Sequence, residues 1–312
     1  MISKKGKLAS LPPVVWMLLC IIVIFSFTGK NFLSLGNLIN ILKQASPFLI
    51  VACGATLAIL VGGTDLSLGY VMGFVGVVIA MLMNRGVPVP FAILVGLVCG
   101  SICGFVNGAL VATFKVPHFI ITYGVGNVVY GLGSLLTGGV SQPALNRNFR
   151  YIADGNIFGI PVVVLLAACV FLALGLVIKK TSFGRNMYAL GGNREALYLS
   201  GVNVKWAEIK IFTVVGLLAG IAGVVFAARS ASGHPSYGSG WEFEAIAASV
   251  IGGNSFSEGK GGLSKTILGV LFIQILKTGL NISGVSPQLQ SFLIGLIVVI
   301  AISLDVVIQD KK

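Results

Sequence analysis

Charged side chains are scarce in this chain of 312 residues. Asp, Glu, Lys and Arg together make up 10% of it, against about 25% in soluble domains. Hydrophobic residues make up 56%, and the mean hydropathy is +1.00. A chain of this composition cannot present a mostly polar surface to water. The sequence therefore predicts an all-α integral membrane protein, with residues 1–312 in a single polytopic domain.

Catalytic and cofactor motifs are also lacking. The chain contains neither G-x-x-x-x-G-K-[ST] nor H-E-x-x-H, and its two histidines are far apart in sequence. Its five cysteines lie inside apolar runs, which indicates helix packing rather than a disulfide or metal framework. We therefore expect that this chain is not an enzyme and that it binds no cofactor, metal ion or ATP.

The net charge of +12 is not read as a nucleic-acid signal, because most of the 21 Lys and Arg residues fall in predicted loops and termini. There they would set the topology and contact lipid headgroups. The apolar runs predict ten transmembrane segments, some short or broken, with both termini cytoplasmic. They cover about 14–27, 45–61, a run ending at 83, 91–114, 119–137, 160–178, 209–228, 241–253, 263–282 and 289–304. Without the short 241–253 segment, Lys311 and Lys312 would lie outside, against the positive-inside rule. An amphipathic connector along the outer surface is predicted for residues 30–43.

One short pattern occurs twice. VGGTDLSLG at 61–69 matches IGGNSFSEG at 251–259, and each copy joins two apolar runs. Paired glycine-interrupted segments are typical of broken helices around a transport pathway. A chance match in a chain with 42 glycines is the alternative. The candidate pathway or helix-break residues are Gly63, Asp65, Ser67, Gly69, Gly252, Gly253 and Asn254.

Asp65 is the only acidic residue in the middle of the first six predicted spans. A carboxylate is costly in lipid, so it should face protein, water or a helix end. The favoured interpretation is that Asp65, with Thr64 and Ser67, caps the N–H groups that open the third span. Direct contact with a transported solute is the alternative. Glu242 and Glu244 are predicted to be interfacial charges near the outer end of the short segment.

The longest polar interruption runs from about 179 to 210 and carries six basic residues, which predicts a cytoplasmic position. A short helix is predicted over 193–200, bounded by glycines on both sides. We interpret it as the contact through which a soluble partner moves the membrane part; an ordinary loop is the alternative. The candidate coupling residues are Gly191, Gly192, Asn193, Glu195, Ala196, Leu199, Ser200 and Gly201.

Four motifs resemble those of one known family. They are GTDLSLG at 63–69, YALGGNREA with LSGV between 188 and 202, GGNSFS with GKG between 252 and 261, and GLN with GVS between 279 and 286. Together they resemble permeases of the ribose, xylose, galactose and autoinducer-2 class of bacterial ABC importers. An ion-coupled secondary carrier for a small polar solute is the alternative, but such carriers need ionisable or unwound sites at mid-depth, and Asp65 alone is a thin basis for one.

The resemblance implies several partners in the bacterial inner membrane. Two permeases, identical or different, would form the pathway. A separate ATPase with two fused nucleotide-binding domains would drive it, and an extracytoplasmic binding protein would deliver a monosaccharide. The chain departs from the family pattern at Leu197, Glu258 and Lys265, where small residues or glycine are usual. These departures leave open whether the chain pairs with itself or with another permease.

Overall fold

A computed structural model describes residues 12–29, 31–114, 116–255 and 259–309. Helices account for most of this part of the chain. They are α1 (Pro13–Thr28), α2 (Leu35–Leu60), α3 (Leu68–Asn84), α4 (Val89–Phe114), α5 (His118–Thr137), α6 (Arg147–Asp154), α7 (Val162–Lys180), α8 (Ser182–Gly192), α9 (Arg194–Leu199), α10 (Val204–Ser230), α11 (Trp241–Ile251), α12 (Leu263–Ile282) and α13 (Pro287–Gln309). Four two-residue strands lie between helices: β1 (Gln142–Pro143), β2 (Asn156–Ile157), β3 (Ile160–Pro161) and β4 (Ser232–Gly233).

Six of the helices are long and apolar enough to cross a membrane: α2, α4, α5, α7, α10 and α12. Shorter apolar helices are found at α1, α3 and the first half of α13. The described residues therefore form a multi-pass helical membrane protein. α11 has only 11 residues, about 16 Å at 1.5 Å per residue, roughly half of the hydrocarbon core.

The predicted surface connector at 30–43 is wrong as a separate element. From Leu35 onward these residues form the first turns of α2, which continues without a break to Leu60. Ser34 opens the helix, since its side chain accepts a hydrogen bond from Asn37 N. The helix also contains Pro47. Ile41 is the one buried residue among 35–43, so this part is an exposed extension of a helix whose buried stretch runs from Ala45 to Leu60.

The buried core is formed mainly by α2 and α10, with residues of α3, α11 and α12 packed around them. α4 crosses α10 on the outside of this core, where glycines allow the two backbones to approach closely. A Cβ at Gly104 would overlap the carbonyl oxygen of Phe212, and one at Gly216 would overlap that of Gly100. Small residues at four-residue spacing are the usual basis of close helix packing in membranes. This crossing fixes α10, whose first turn carries one of the site residues described below.

One end of the bundle carries short strands. β1 pairs antiparallel with β4, and β2 pairs with β3. The loop between β4 and α11 then folds back along the glycine-bearing face of α3, where a Cβ at Gly73 would meet the carbonyl oxygens of Pro235 and Tyr237. α8, α9 and the first residues of α5 and α10 lie at the opposite end.

Candidate functional site

The first glycine break follows α2 and leads into α3. α2 ends at Leu60, and Gly62 takes a left-handed conformation with φ 79°. Glycine is the residue that adopts this conformation without strain. The segment then continues without regular secondary structure to Ser67 and is tied to α5, because Leu66 N donates to Thr122 Oγ1 at 3.0 Å. The break is thus a defined, anchored interruption between two helices.

Asp65 lies at the centre of this break and is 1% exposed. Its Oδ1 accepts from the backbone N of Ser67 at 2.8 Å and from Ser67 Oγ at 2.6 Å. Asn107, on α4, donates its amide to Asp65 Oδ2 at 3.3 Å and to Ser67 Oγ at 2.8 Å. Asp65 therefore accepts the N–H of Ser67, the residue before α3, rather than an N–H of α3 itself, and it ties the break to α4 through Asn107. Its role as a cap of α3 stays a prediction.

Gly69 and Gly63 are close-approach positions on either side of Asp65. A Cβ at Gly69 would overlap the carbonyl oxygen of Gly238 and Oε2 of Glu242. A Cβ at Gly63 would lie within 2.9 Å of three atoms of the His118 ring. These two glycines therefore let the break pack against the folded-back outer loop on one side and against the start of α5 on the other.

The predicted interfacial position of Glu242 is wrong. Glu242 is 1% exposed at the start of α11, and its Oε1 accepts a hydrogen bond from Gly240 N at 3.1 Å. The folded-back loop covers it, and this could not be read from the 241–253 pattern. Glu244 is more accessible and accepts from Lys277 Nζ on α12 at 2.7 and 2.8 Å.

The second glycine break follows α11. Here Gly253, rather than Gly252, is left-handed, with φ 103°. In the aligned repeat Gly62 corresponds to Gly252, so both copies end a helix but turn at different positions. Residues 256–258 of the second copy lie outside the described part of the chain.

Asn254 ties this second break into a buried polar cluster. Its amide donates to Ser249 Oγ and to Thr266 Oγ1, each at 3.0 Å, and its Oδ1 accepts from Gly262 N at 2.7 Å. Thr56 of α2 joins the cluster, with its Oγ1 at 2.9 Å from Ser249 Oγ and 2.7 Å from Thr266 Oγ1. The cluster connects α2, α11 and α12 directly beside the break.

The segment between α7 and α10 forms two helices rather than the one predicted. Gly191 and Gly192 are the last residues of α8, and Asn193 caps α9 by accepting from Ala196 N at 2.9 Å. α9 is bounded by Gly201, with φ 84°. On α9, Leu197 is buried, while its other side chains are exposed, Tyr198 at 69% and Leu199 at 77%. A groove of about 890 Å³ lies beside α9 and the first residues of α10.

Arg194 connects α9 to α10 through an ion pair. Its Nη1 and Nη2 donate to Oε1 and Oε2 of Glu208 at 3.0 and 2.7 Å. Glu208 is 1% exposed, and its hydrogen bonds raise the pKa of the Arg194 guanidinium. A bidentate pair of this kind fixes orientation as well as charge.

Glu208 continues the connection to the first glycine break. Its Oε1 also lies 3.1 Å from Nε2 of His118, the first residue of α5. The His118 ring stacks on Phe212, with ring centroids 5.7 Å apart and planes 13° apart, and it also packs against Gly63. A continuous set of contacts, which we call the Arg194–Glu208–His118 relay, therefore runs from α9 to Gly63.

α8 contacts both breaks directly. A Cβ at Gly191 would overlap the carbonyl oxygen of Leu60 and lie 3.1 Å from Cα of Gly259. Tyr188 Oη donates to the carbonyl oxygen of Gly261 at 3.2 Å. Through Gly191 and Tyr188, α8 thus lies against the chain just before the first break and just after the second.

Asn107, Thr122, Glu208 and His118 were not predicted from the sequence as site residues; His118 directly precedes the predicted 119–137 segment. The first two are polar residues inside apolar runs, which is a usable signal in a membrane chain. Glu208 stands next to the seventh predicted span, so its burial is not evident from sequence position.

Comparisons with known proteins now decide the family. A model described as "Branched-chain amino acid transport system / permease component" matches residues 37–302. The chain belongs to this permease family. The permease is 38% identical over 295 residues to the ribose import permease protein of Escherichia coli (strain K12), covering 92% of this chain and 91% of that protein. It is 36% identical over 292 residues to the D-allose transport system permease protein of the same strain, covering 93% and 90%.

A third relative of the permease is the galactose/methyl galactoside import permease protein of Haemophilus influenzae, at 33% identity over 329 residues, covering 99% of this chain and 98% of that protein. No solved structure matches the permease.

Proposed function

We propose that this permease is the membrane subunit of an ABC importer that carries a monosaccharide across the bacterial cytoplasmic membrane. Relatives that align over nearly its whole length are named for ribose, allose and galactose import. The observation that carries the proposal is the relay from α9 to Gly63. It gives a soluble partner a fixed contact through which to act on a break between membrane helices.

The partners follow from this function. A separate ATPase would dock on α9, an extracytoplasmic binding protein would deliver the sugar at the β1–β4 end, and a second permease, identical or different, would complete the pathway. Ala196 and Leu199 are exposed on α9 and offer a small and a large apolar contact to the ATPase. Glu195 would lie at the polar rim of that contact, where charges set orientation.

The proposed topology has ten crossings, with both termini on the α9 side. α5 and α10 both begin near the relay and end near the β1–β4 pair, which supports opposite locations for these two regions. α11 counts as a crossing only together with the loop that folds back along α3. Membrane lipid surrounds the many exposed apolar side chains on the long helices.

The proposed cycle couples ATP binding and hydrolysis to the two breaks. A shift of α9 would move Arg194 and therefore Glu208, because the carboxylate is held at both oxygens. Glu208 and Phe212 would carry that shift to the His118 ring, which packs on Gly63. The broken segments lack a continuous helical ladder, so they are the parts of the bundle that can rearrange at lowest cost.

The test is reconstitution into proteoliposomes. With the ATPase and a sugar-loaded binding protein, the permease should accumulate sugar only when ATP is supplied and hydrolysed. An ATPase variant that cannot hydrolyse ATP is the control. Accumulation by the permease alone, driven by an imposed proton or sodium gradient, would instead support the secondary-carrier function and overturn this proposal.

A further inference from the structure

A polar cavity of about 270 Å³ lies between α2, α10, α11 and α12, toward the end that carries β1 and β4. At roughly 30 Å³ per water molecule this is space for about nine waters, which suits a single sugar ring. Its lining includes Gln44, Phe226, Arg229, Trp241, Gln274 and Lys277. The relay and the two glycine breaks contribute no lining residue to it.

Gln274 is the residue that makes this cavity unusual. The residue is 4% exposed, and its amide, which is open to the cavity, forms no hydrogen bond within the described residues. An amide that bonds no protein group and faces a cavity keeps its donor and acceptor available to water or to a ligand. Because the side chain lines the cavity, a molecule bound there would satisfy both its donor and its acceptor.

Two further polar groups in the cavity are also uncommitted. The Gln44 amide and the Arg229 guanidinium, both half-buried, form no hydrogen bond or ion pair within the part of the chain that the structure describes. Lys277 differs, since Glu244 neutralises it through both carboxylate oxygens. The cavity thus offers two amides, which both donate and accept, and one free cation.

An aromatic wall completes the cavity. The half-buried Trp241 ring is held by edge contacts with Phe48 and Phe226, with centroids 5.5 and 5.2 Å apart and planes at 88° and 89°. A fixed aromatic wall beside amide and guanidinium groups suits a neutral polyhydroxyl ring, whose C–H faces are apolar and whose hydroxyls donate and accept. A lipid phosphate needs donors and positive charge, and it gains little from two amide oxygens or an aromatic face.

We propose that this cavity is a sugar-receiving site within the permease, in which Gln274, Gln44 and Arg229 hydrogen-bond the hydroxyls of a monosaccharide beside Trp241. The inference rests on the proposed function. It adds a place where the sugar would pause after leaving the binding protein, and it gives the permease a share in selecting its substrate.

The test measures weak sugar binding to the full-length permease in nanodiscs of zwitterionic lipid, with no binding protein or ATPase present. Saturation-transfer NMR with D-ribose, D-allose and D-galactose as probes should show transfer to the ring protons of at least one sugar. Gln274→Leu should weaken that binding by about fivefold, the equilibrium effect of one net hydrogen bond. Gln290→Leu is the matched control, because the Gln290 amide already donates to Val285 O at 2.8 Å outside the cavity.

Thermal melting separates binding from folding. Since Gln274→Leu removes an amide that bonds no protein group, the variant should melt close to the wild-type temperature. A melting temperature far below wild type would overturn the claim that the amide lacks a partner. Arg229→Gln provides a second variant that keeps polar contact and should also weaken binding.

Two other results would overturn the site. One is sugar binding that is absent in the wild type or equal in wild type and Gln274→Leu. The other is an anionic phospholipid that co-purifies, is lost in Arg229→Gln and blocks the sugar signal, which would make the cavity a headgroup site. If the complete importer still takes up sugar under either result, only this site fails. If the complete importer takes up no sugar, the proposed function fails as well.

Discussion

Replacing Arg194 by alanine should separate the stability of the cytoplasmic end from its role in coupling. The change removes both hydrogen bonds to Glu208 and leaves a carboxylate that is 1% exposed. Breaking a buried ion pair by removing one partner costs about 3–5 kcal/mol. Two features reduce this figure, because the Arg194 side chain is 48% exposed and His118 still contacts the carboxylate. We therefore expect about 2 kcal/mol of destabilisation, which is below the range for a fully buried pair.

A second substitution should reverse the stability loss. Glu208→Gln in the Arg194→Ala background removes the unpaired charge, so most of the lost stability should return. The fixed link between α9 and α10 stays broken in this double variant. It should therefore fold and assemble with the ATPase but import less sugar for each ATP hydrolysed than the wild type does.

The assays are thermal unfolding of the purified permease and the ratio of sugar uptake to ATP hydrolysis in proteoliposomes. Arg150→Ala is the matched control. Arg150 pairs with Asp154 on α6 with both side chains well exposed, so its loss should cost about 0–1 kcal/mol and leave the ratio unchanged. A wild-type ratio in the double variant would show that the ion pair only stabilises the fold, and the relay would then have no part in coupling.

Two further predictions concern the break and α9. Asp65→Asn should keep more transport and abundance than Asp65→Leu, because leucine leaves the N–H and hydroxyl of Ser67 without their acceptor, at about 1–3 kcal/mol for each buried group. Loss of transport in Asp65→Asn at normal abundance, measured by uptake and immunoblot, would instead place Asp65 in the pathway. Ala196→Arg adds bulk and charge to an exposed contact position, so it should reduce co-purification with the ATPase while leaving membrane insertion intact. It should also reduce the ATP hydrolysis that the loaded binding protein stimulates. Wild-type co-purification and wild-type ATP hydrolysis would mean that the ATPase docks elsewhere.

The helices that face lipid or the bundle core were well predicted from sequence. The predicted 263–282 and 119–137 segments correspond to α12 and α5 within one residue at each end, because apolar runs bounded by glycine, proline or polar residues leave little choice of boundary. α8 was not predicted. Its residues are polar and mixed in pattern, and its helical state depends on packing against α7, α10 and the ends of the breaks.

Polar contacts between residues far apart in the chain could not be predicted from the sequence. Asp65 could be recognised as costly in lipid, and its hydrogen bond to Ser67 N follows from local spacing. Its contact with Asn107 joins residues 42 apart, and the contact between Glu208 and His118 joins residues 90 apart. Such pairs depend on how helices cross, which in this chain is set by the glycine contact between α4 and α10.

The position of α8 explains how a single docking site could act on both halves of the bundle. Gly191 has no room for a side chain because the carbonyl end of α2 and the chain around Gly259 close over it, and Tyr188 holds the same chain at Gly261. α8 therefore cannot shift without changing its contact with the end of α2, just before the first break, or with the chain after the second. The relay reaches the first break by a different route, through His118. An ATPase that moved α8 and α9 together would act on the first break through two contacts, the end of α2 and His118. It would act on the second break through one contact, that of α8 with the chain after it. We therefore expect the first break, with Asp65 at its centre, to respond first.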